Sequence, residues 1–167
     1  MRRRSEEAVV CCSCMLFLFF GCMEDIHKYR KVNKLKLVER MNSNGSRKES
    51  AAEHSWGCLM LADFLLSRFS CDLDRLKVYE LLMYHDLVEI ETGDTPLHPG
   101  ITVDLTLKAQ TEQEGAQVLA KGLPQVLSSK FLSLFQEFEQ QQTREAKFAK
   151  AVDQLEAQIH EMDYKSD

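Results

Sequence analysis

The chain has 167 residues, long enough for one domain with its own core, and its seven glycines and three prolines favour helices over a turn-rich β fold. It is 44% hydrophobic and 28% charged, as expected for a globular domain, and its formal net charge is -5. That balance gives no support for a nucleic-acid polymer as partner, which normally demands a basic face. A small phosphate ester stays open, because a metal can supply the positive charge.

The first 22 residues are unusual. Arg2, Arg3 and Arg4 precede an apolar run from Ala8 to Gly21 that contains MLFLFF. This pattern has the charged and hydrophobic regions of a secretory signal, but Glu6 and Glu7 intervene and no small-x-small cleavage site follows. The run also falls short of the ~18 apolar residues of a spanning helix. Residues 1–22 are therefore read as a non-core extension, with a membrane tether as the lesser reading. Cys11, Cys12, Cys14 and Cys22 crowd this end without the regular spacing of a disulfide scaffold or a second matched pair for a metal. Cys58 and Cys71 read as buried thiols of a reducing compartment.

From Ile26 to Glu39 the apolar spacing of Ile26, Tyr29, Leu35 and Val38 predicts a short, basic helix. Asn42 to Lys48 is a loop that turns at Asn44-Gly45. Ser50-Ala51-Ala52-Glu53 is a capping box that starts a helix carrying Leu59, Ala62, Phe64, Leu65 and Phe69. His54 lies in its first turn, and Trp56 is expected in the core. Asp72 or Asp74 caps the next helix, which runs on through His85, Asp86 and Ile90 to a stop at Gly93.

Residues 96–103 (PLHPGITV) form a loop. A polar helix follows from about Asp104 to Lys121, stopping at Gly122. Pro124 opens a helix over Gln125–Gln140 with Val126, Leu127, Phe131, Leu134, Phe135 and Phe138 on one side. That apolar side can serve as core or as a subunit contact. Thr143 caps the last helix, in which Ala146, Ala149, Val152, Leu155 and Ile159 recur at helical spacing. No strand is predicted. The fold class is all-α, one bundle of five or six helices, and the chain ends at Asp167 without a stop signal.

Three of these helical stretches carry a possible metal set: His54 in AAEHSW, His85 and Asp86 in YHDLVE, and Asp153 in KAVDQLE. Two imidazoles and two carboxylates suffice for one divalent cation, and the donor types suit borderline or harder ions. No thiolate is placed with the set, which argues against structural zinc. Each residue alone has a plain reading: a satisfied core histidine, or, for Asp153, a surface carboxylate paired with Lys150. Glu89 shares a helix face with Asp86, three residues earlier.

In order, EHSW, HDLVEI, GDTP, EFE and AKAVDQLEA resemble the HD-domain metal-dependent phosphohydrolases, and most of all their 5'-deoxynucleotidase branch. The resemblance runs from about Ile26 to the end of the chain, and Met23 looks like a natural start for that family. It implies an HD domain over residues 23–167, its C-terminal end left open, around a metal site of His54, His85, Asp86 and Asp153. It implies Mn2+, Co2+ or Mg2+ as cofactor, and hydrolysis of 2'-deoxyribonucleoside 5'-monophosphates. Glu89 would orient the attacking water and Asp94 would act as acid or base. Arg40 matches the family's phosphate-binding position, while Met41 and Asn42 replace the tryptophan that follows this arginine in some bacterial relatives. Glu91 reads as a solvent-facing charge. A homodimer in the cytoplasm, with no membrane, is the implied setting. Other readings are an HD phosphohydrolase of cyclic nucleotides, alarmones or nucleoside triphosphates, or an inactive HD-fold interaction module.

Overall fold

In the computed structural model, which describes residues 23–95 and 104–164, helical residues 23–29 pass into a 3-10 helix over Arg30–Leu37. The expectations for residues 1–22 and for the loop 96–103 lie outside the described residues. A hairpin follows that had not been foreseen: β1 (Glu39–Ser43) pairs antiparallel with β2 (Lys48–Ser50), Glu39 opposite Ser50 and Ser43 opposite Lys48. Strands of five and three residues are too short to show an alternating period, so only the turn was legible. It closes where expected, with Asn44 N donating to Arg47 O at 2.7 Å and Gly45 at φ 76°. A side chain at that φ would be strained.

Capping chemistry sets the helix starts. Glu53 N donates to Ser50 Oγ at 3.3 Å and Ser50 N donates to Glu53 Oε2 at 2.9 Å, which begins α1 (Ala51–Arg68). Arg47, a basic loop residue, is bound to the same Glu53 carboxylate at 2.8 Å. Asp74 Oδ1 accepts from Lys77 N at 3.1 Å and begins α2 (Arg75–Tyr84). The expected single helix through Ile90 is broken here. Residues His85–Val88 form one 3-10 turn before the short α3 (Glu89–Thr92), which ends at Gly93. His85 Nδ1 lies 2.8 Å from Leu82 O, and a side chain that bonds a carbonyl of the preceding turn competes with the α-helical ladder.

Asp104 Oδ1 accepts from Thr106 N and Leu107 N to begin α4 (Leu105–Gly122), so Gly122 is the last helical residue rather than the stop. Pro124 precedes α5 (Gln125–Gln140), and Thr143 Oγ1 accepts from Ala146 N at 3.1 Å in the first turn of α6 (Arg144–Tyr164). Among the described residues no helix is long and apolar enough to cross a membrane.

The centre of the bundle is α2, which packs against α1, α5 and α6. Val78, Leu81 and Leu82 of α2 are fully buried with Leu119, Phe131 and Val152. Each such side chain contributes roughly 1.5–3 kcal/mol relative to leaving it in water. Phe131, Leu134, Phe135 and Phe138 are all buried, so the apolar side of α5 is core, while Val126 is 75% exposed.

Two side chains break their expectations. Trp56 is 67% exposed, because two residues past buried His54 is about 200° around the helix, on the opposite face. Cys71 is exposed in the link between α1 and α2, whereas Cys58 is buried as expected. Among the described residues the core cluster runs from Leu35 to Val152. Because the resemblance noted in the sequence begins after residue 22, deleting residues 1–22 is expected to leave the thermal unfolding transition cooperative and its midpoint unchanged. Loss of that transition would show that the MLFLFF run belongs to the core.

Candidate metal centre

The first turn of α1 turns His54 inward, and its side chain is completely buried. The 3-10 turn after α2 brings His85 and Asp86 to meet it, and α6 brings Asp153. His54 Nε2 lies 3.0 Å from Asp153 Oδ1 and 3.9 Å from Asp86 Oδ2. His85 Nε2 lies 3.1 Å from Asp86 Oδ1 and 3.8 Å from Asp153 Oδ1. Two donors bound at 2.0–2.2 Å to one ion cannot be more than about 4.4 Å apart, and all four separations fall within that limit.

The histidine nitrogens fit a cation as well. His85 donates Nδ1–H to Leu82 O at 2.8 Å, which turns Nε2 toward the two aspartates. That Nε2 is buried and makes no hydrogen bond among the described residues. A buried nitrogen left this way is costly unless something else binds it. His54 Nδ1 is held at 2.5 Å by Glu156 Oε2, so its Nε2 faces the same point.

The sequence had assigned no thiolate to this set, yet Cys58 Sγ lies 3.5 Å from His54 Nε2. It stands four residues after His54 on the same helix face, a spacing that could have flagged it. Burial pushes the Cys58 thiol up to about 11, which disfavours its thiolate. With His54, His85 and Asp153 it nevertheless offers donor atoms that all lie within 4.8 Å of one another, a group that does not include Asp86.

The electrostatics are those of crowded carboxylates. Burial opposes charge on His54, but hydrogen bonds to Asp153, Cys58 and Glu156 win and push its pKa up to about 12. Burial likewise opposes charge on Asp153, yet His54, His85 and Lys150 hold it well below the usual carboxylate range. Lys150 Nζ is 2.9 Å from Asp153 Oδ2 and sits 4.8 Å over the Phe138 ring, so the plain pairing read from the sequence coexists with the contact to His54. Burial, reinforced by Asp86 and Asp94, pushes Glu89 up to about 9. A divalent cation at this point would favour the ionised carboxylates.

Arg40, on β1, reaches over the cluster. Its NH1 lies 3.5 Å from Asp86 Oδ2 and 3.9 Å from Asp94 Oδ1, and its Nε 3.5 Å from Glu49 Oε2. Burial lowers its pKa, but Asp86, Asp94, Glu89 and Glu49 outweigh that and raise it, so it is always charged. The hairpin carrying Arg40 is tied down by α6: His160 Nε2 is 3.0 Å from Ser43 O and its Nδ1 3.3 Å from Glu49 Oε1. Glu49, Glu156 and His160 were missed in the sequence, because each matters only through a contact made across the fold.

Arg40, His85, Asp86, Glu89, Asp94 and Asp153 line one cleft of about 450 Å³, whose walls include Phe135, Phe138 and Lys150. Glu89 is buried, and its Oε2 makes no hydrogen bond among the described residues. Glu91 is exposed, as expected, and pairs with Lys31 at 2.7 Å. The arrangement can hold a divalent cation beside an arginine and two further carboxylates, a set suited to an anionic phosphate ester.

Comparison with known proteins agrees with this chemistry. The 5'-deoxynucleotidase HDDC2 of Bos taurus is 30% identical over 138 residues, covering 81% of this chain and 65% of that protein. The Homo sapiens counterpart is 28% identical with the same shares, so this chain spans just under two thirds of the length of these relatives. Among solved structures, a "Predicted metal-dependent phosphohydrolase" from Magnetospirillum magnetotacticum MS-1 is 30% identical with a TM-score of 0.72, covering 84% of this chain and 70% of that one. The PH0347 protein from Pyrococcus horikoshii OT3 is 27% identical with a TM-score of 0.63, covering 84% of this chain and 78% of that one. The HD domain family model matches residues 32–167, which include every residue of the candidate centre, and the chain belongs to the HD-domain family.

Proposed function

We propose that this chain hydrolyses 2'-deoxyribonucleoside 5'-monophosphates to deoxynucleoside and inorganic phosphate, with a divalent cation held by His54, His85, Asp86 and Asp153. The observation that carries this reading is the cleft lined by His85, Asp86, Asp153, Arg40, Glu89 and Asp94, with His54 buried directly behind Asp153 at 3.0 Å. Relatives named 5'-deoxynucleotidase direct it to this substrate class. The cation, proposed as Mn2+, Co2+ or Mg2+, would act as a Lewis acid on the phosphoryl group and raise the acidity of water at neutral pH.

The chain's own residues divide the remaining work. Arg40 holds the non-bridging phosphoryl oxygens through charge-assisted hydrogen bonds, its orientation kept by Asp86, Asp94 and Glu49. Glu89 orients the attacking water and takes its proton. The water oxygen bonds to phosphorus as the bond to the 5'-oxygen breaks, and Asp94 acts as the acid that returns a proton to the leaving oxygen. Two carboxylates in unlike surroundings can hold these opposite roles.

The test is phosphate release from deoxy- and ribonucleoside monophosphates, cyclic nucleotides, alarmones and nucleoside triphosphates across a series of divalent metals. Fastest turnover of the deoxynucleoside monophosphates supports the proposal. Turnover confined to another class would replace the substrate. No turnover and no bound metal would leave an HD-fold interaction module. The assembly proposed is a homodimer, and because the apolar side of α5 is core, its contact must use another surface.

Arg40→Ala is expected to raise KM for a deoxynucleoside monophosphate roughly 10- to 100-fold, the loss of a hydrogen bond between charged groups. A KM unchanged from wild type would remove Arg40 from substrate binding. A parallel fall in kcat would mean that it also grips the transition state more strongly than the ground state.

A further inference from the structure

We infer that Glu156 is a positioning residue that fixes the ring of His54, so that Nε2 rather than Nδ1 is presented to the cation. The inference rests on the cation site proposed above. Four observations carry it. Glu156 Oε2 is 2.5 Å from His54 Nδ1, in a part-buried setting where little water competes for the contact. Asp153 Oδ1 is 3.0 Å from the other ring nitrogen. Residues 153 and 156 are one helical turn apart, so a single face of α6 grips both edges of the imidazole.

The opposite helix has made room for this contact. At Gly57, one turn after His54, a β-carbon would stand 2.2 Å from Glu156 Oε1. Any side chain there would force the Glu156 carboxylate to shift, so a glycine at 57 leaves the space in which the carboxylate meets the ring. The other histidine uses a different device for the same end. His85 donates Nδ1–H to the Leu82 carbonyl, a backbone acceptor that no substitution can remove. His54 instead depends on one side chain three residues beyond a candidate ligand. Outer partners of this kind set tautomer and orientation, and losing one typically weakens metal binding by about 10- to 100-fold.

The experiment is Mn2+ titration by calorimetry on wild-type, Glu156→Ala, Glu156→Gln, Gly57→Ala and Gln154→Ala proteins. Thermal unfolding without metal checks the fold of each. Glu156→Ala is expected to bind Mn2+ about 10- to 100-fold more weakly. Gly57→Ala should weaken it too, because it displaces the carboxylate while leaving it in the chain. Glu156→Gln keeps an acceptor for Nδ1–H and should recover part of the loss. Gln154→Ala, at an exposed position of the same helix next to a proposed ligand, should match wild type.

Folded Glu156→Ala protein binding Mn2+ within twofold of wild type would overturn the inference. If that variant does not fold, unchanged affinity in Gly57→Ala does the same. Wild-type protein that binds no Mn2+ would instead overturn the cation site itself, so the two failures are distinct.

Discussion

Asp153→Ala protein is expected to purify without stoichiometric divalent metal and to release no phosphate from deoxynucleoside monophosphates above background. His54→Ala, His85→Ala and Asp86→Ala should behave alike. Asp153 is the sharpest case because one carboxylate serves three neighbours. Its Oδ1 lies 3.0 Å from His54 Nε2 and 3.8 Å from His85 Nε2, and its Oδ2 accepts from Lys150 at 2.9 Å. Without it, Asp86 is the one carboxylate left between the two Nε2 atoms, and the Lys150 ammonium loses the oxygen it donates to. A cation would then lack a carboxylate ligand from the α6 side. Chelation of wild-type protein should reproduce the inactive state, and added Mn2+ or Co2+ should reverse it.

Metal content by elemental analysis and phosphate release together check this result. Normal content and rate in two of the four variants would show the four-ligand assignment to be wrong. Cys58→Ser separates the neighbouring thiol from the set. Cys58 Sγ lies 3.5 Å from His54 Nε2, and burial disfavours its thiolate, so this variant should retain its metal when the cation takes the four proposed ligands. Loss of metal from Cys58→Ser with retention in Asp86→Ala would exchange one ligand for the other.

Local chemistry in the sequence was legible where its partners are close along the chain. The Ser50–Glu53 box, the Asp74 cap and the Thr143 cap each join residues three apart, and each starts a helix as read. The order His54, His85, Asp86, Asp153 was legible for another reason. Its residue types are those of a cation site, and their surrounding motifs resemble one family. What stayed hidden depends on facing rather than spacing. Trp56 is apolar enough for a core, but the direction of buried His54 sends it to solvent.

The 3-10 turn at His85 and the hairpin below Arg40 were hidden too. Both carry contacts that no periodicity records, His85 to Leu82 O and His160 to Ser43 O, and the strands are too short to show a period. Glu156 and Glu49 looked like two more charges in a chain with 26 acidic residues. Only packing α1 against α6, and α6 against the hairpin, turns them into partners of a histidine and an arginine.

Glu89→Gln is expected to keep its metal and lose about 10²–10⁴-fold in kcat, the usual contribution of a general acid or base. The substitution preserves size and hydrogen-bonding capacity while removing the group that can take a proton. Glu89 is suited to that task by its surroundings. It is buried in the cleft, and its Oε2 makes no hydrogen bond among the described residues; burial, Asp86 and Asp94 raise its pKa, and a divalent cation beside it would favour the ionised form that takes a proton. Glu91 is two residues away on the same short helix but outside the cleft lining, tied to Lys31 at 2.7 Å. Glu91→Gln therefore controls for loss of a carboxylate from α3 and should turn over at nearly the wild-type rate. The two variants must be compared at equal metal occupancy, since a weakened metal site would imitate a catalytic defect. Equal, near-normal rates in both would remove Glu89 from the mechanism. Proton transfer would then fall to Asp94, whose carboxylate lies 3.9 Å from the Arg40 guanidinium at the other side of the same cleft.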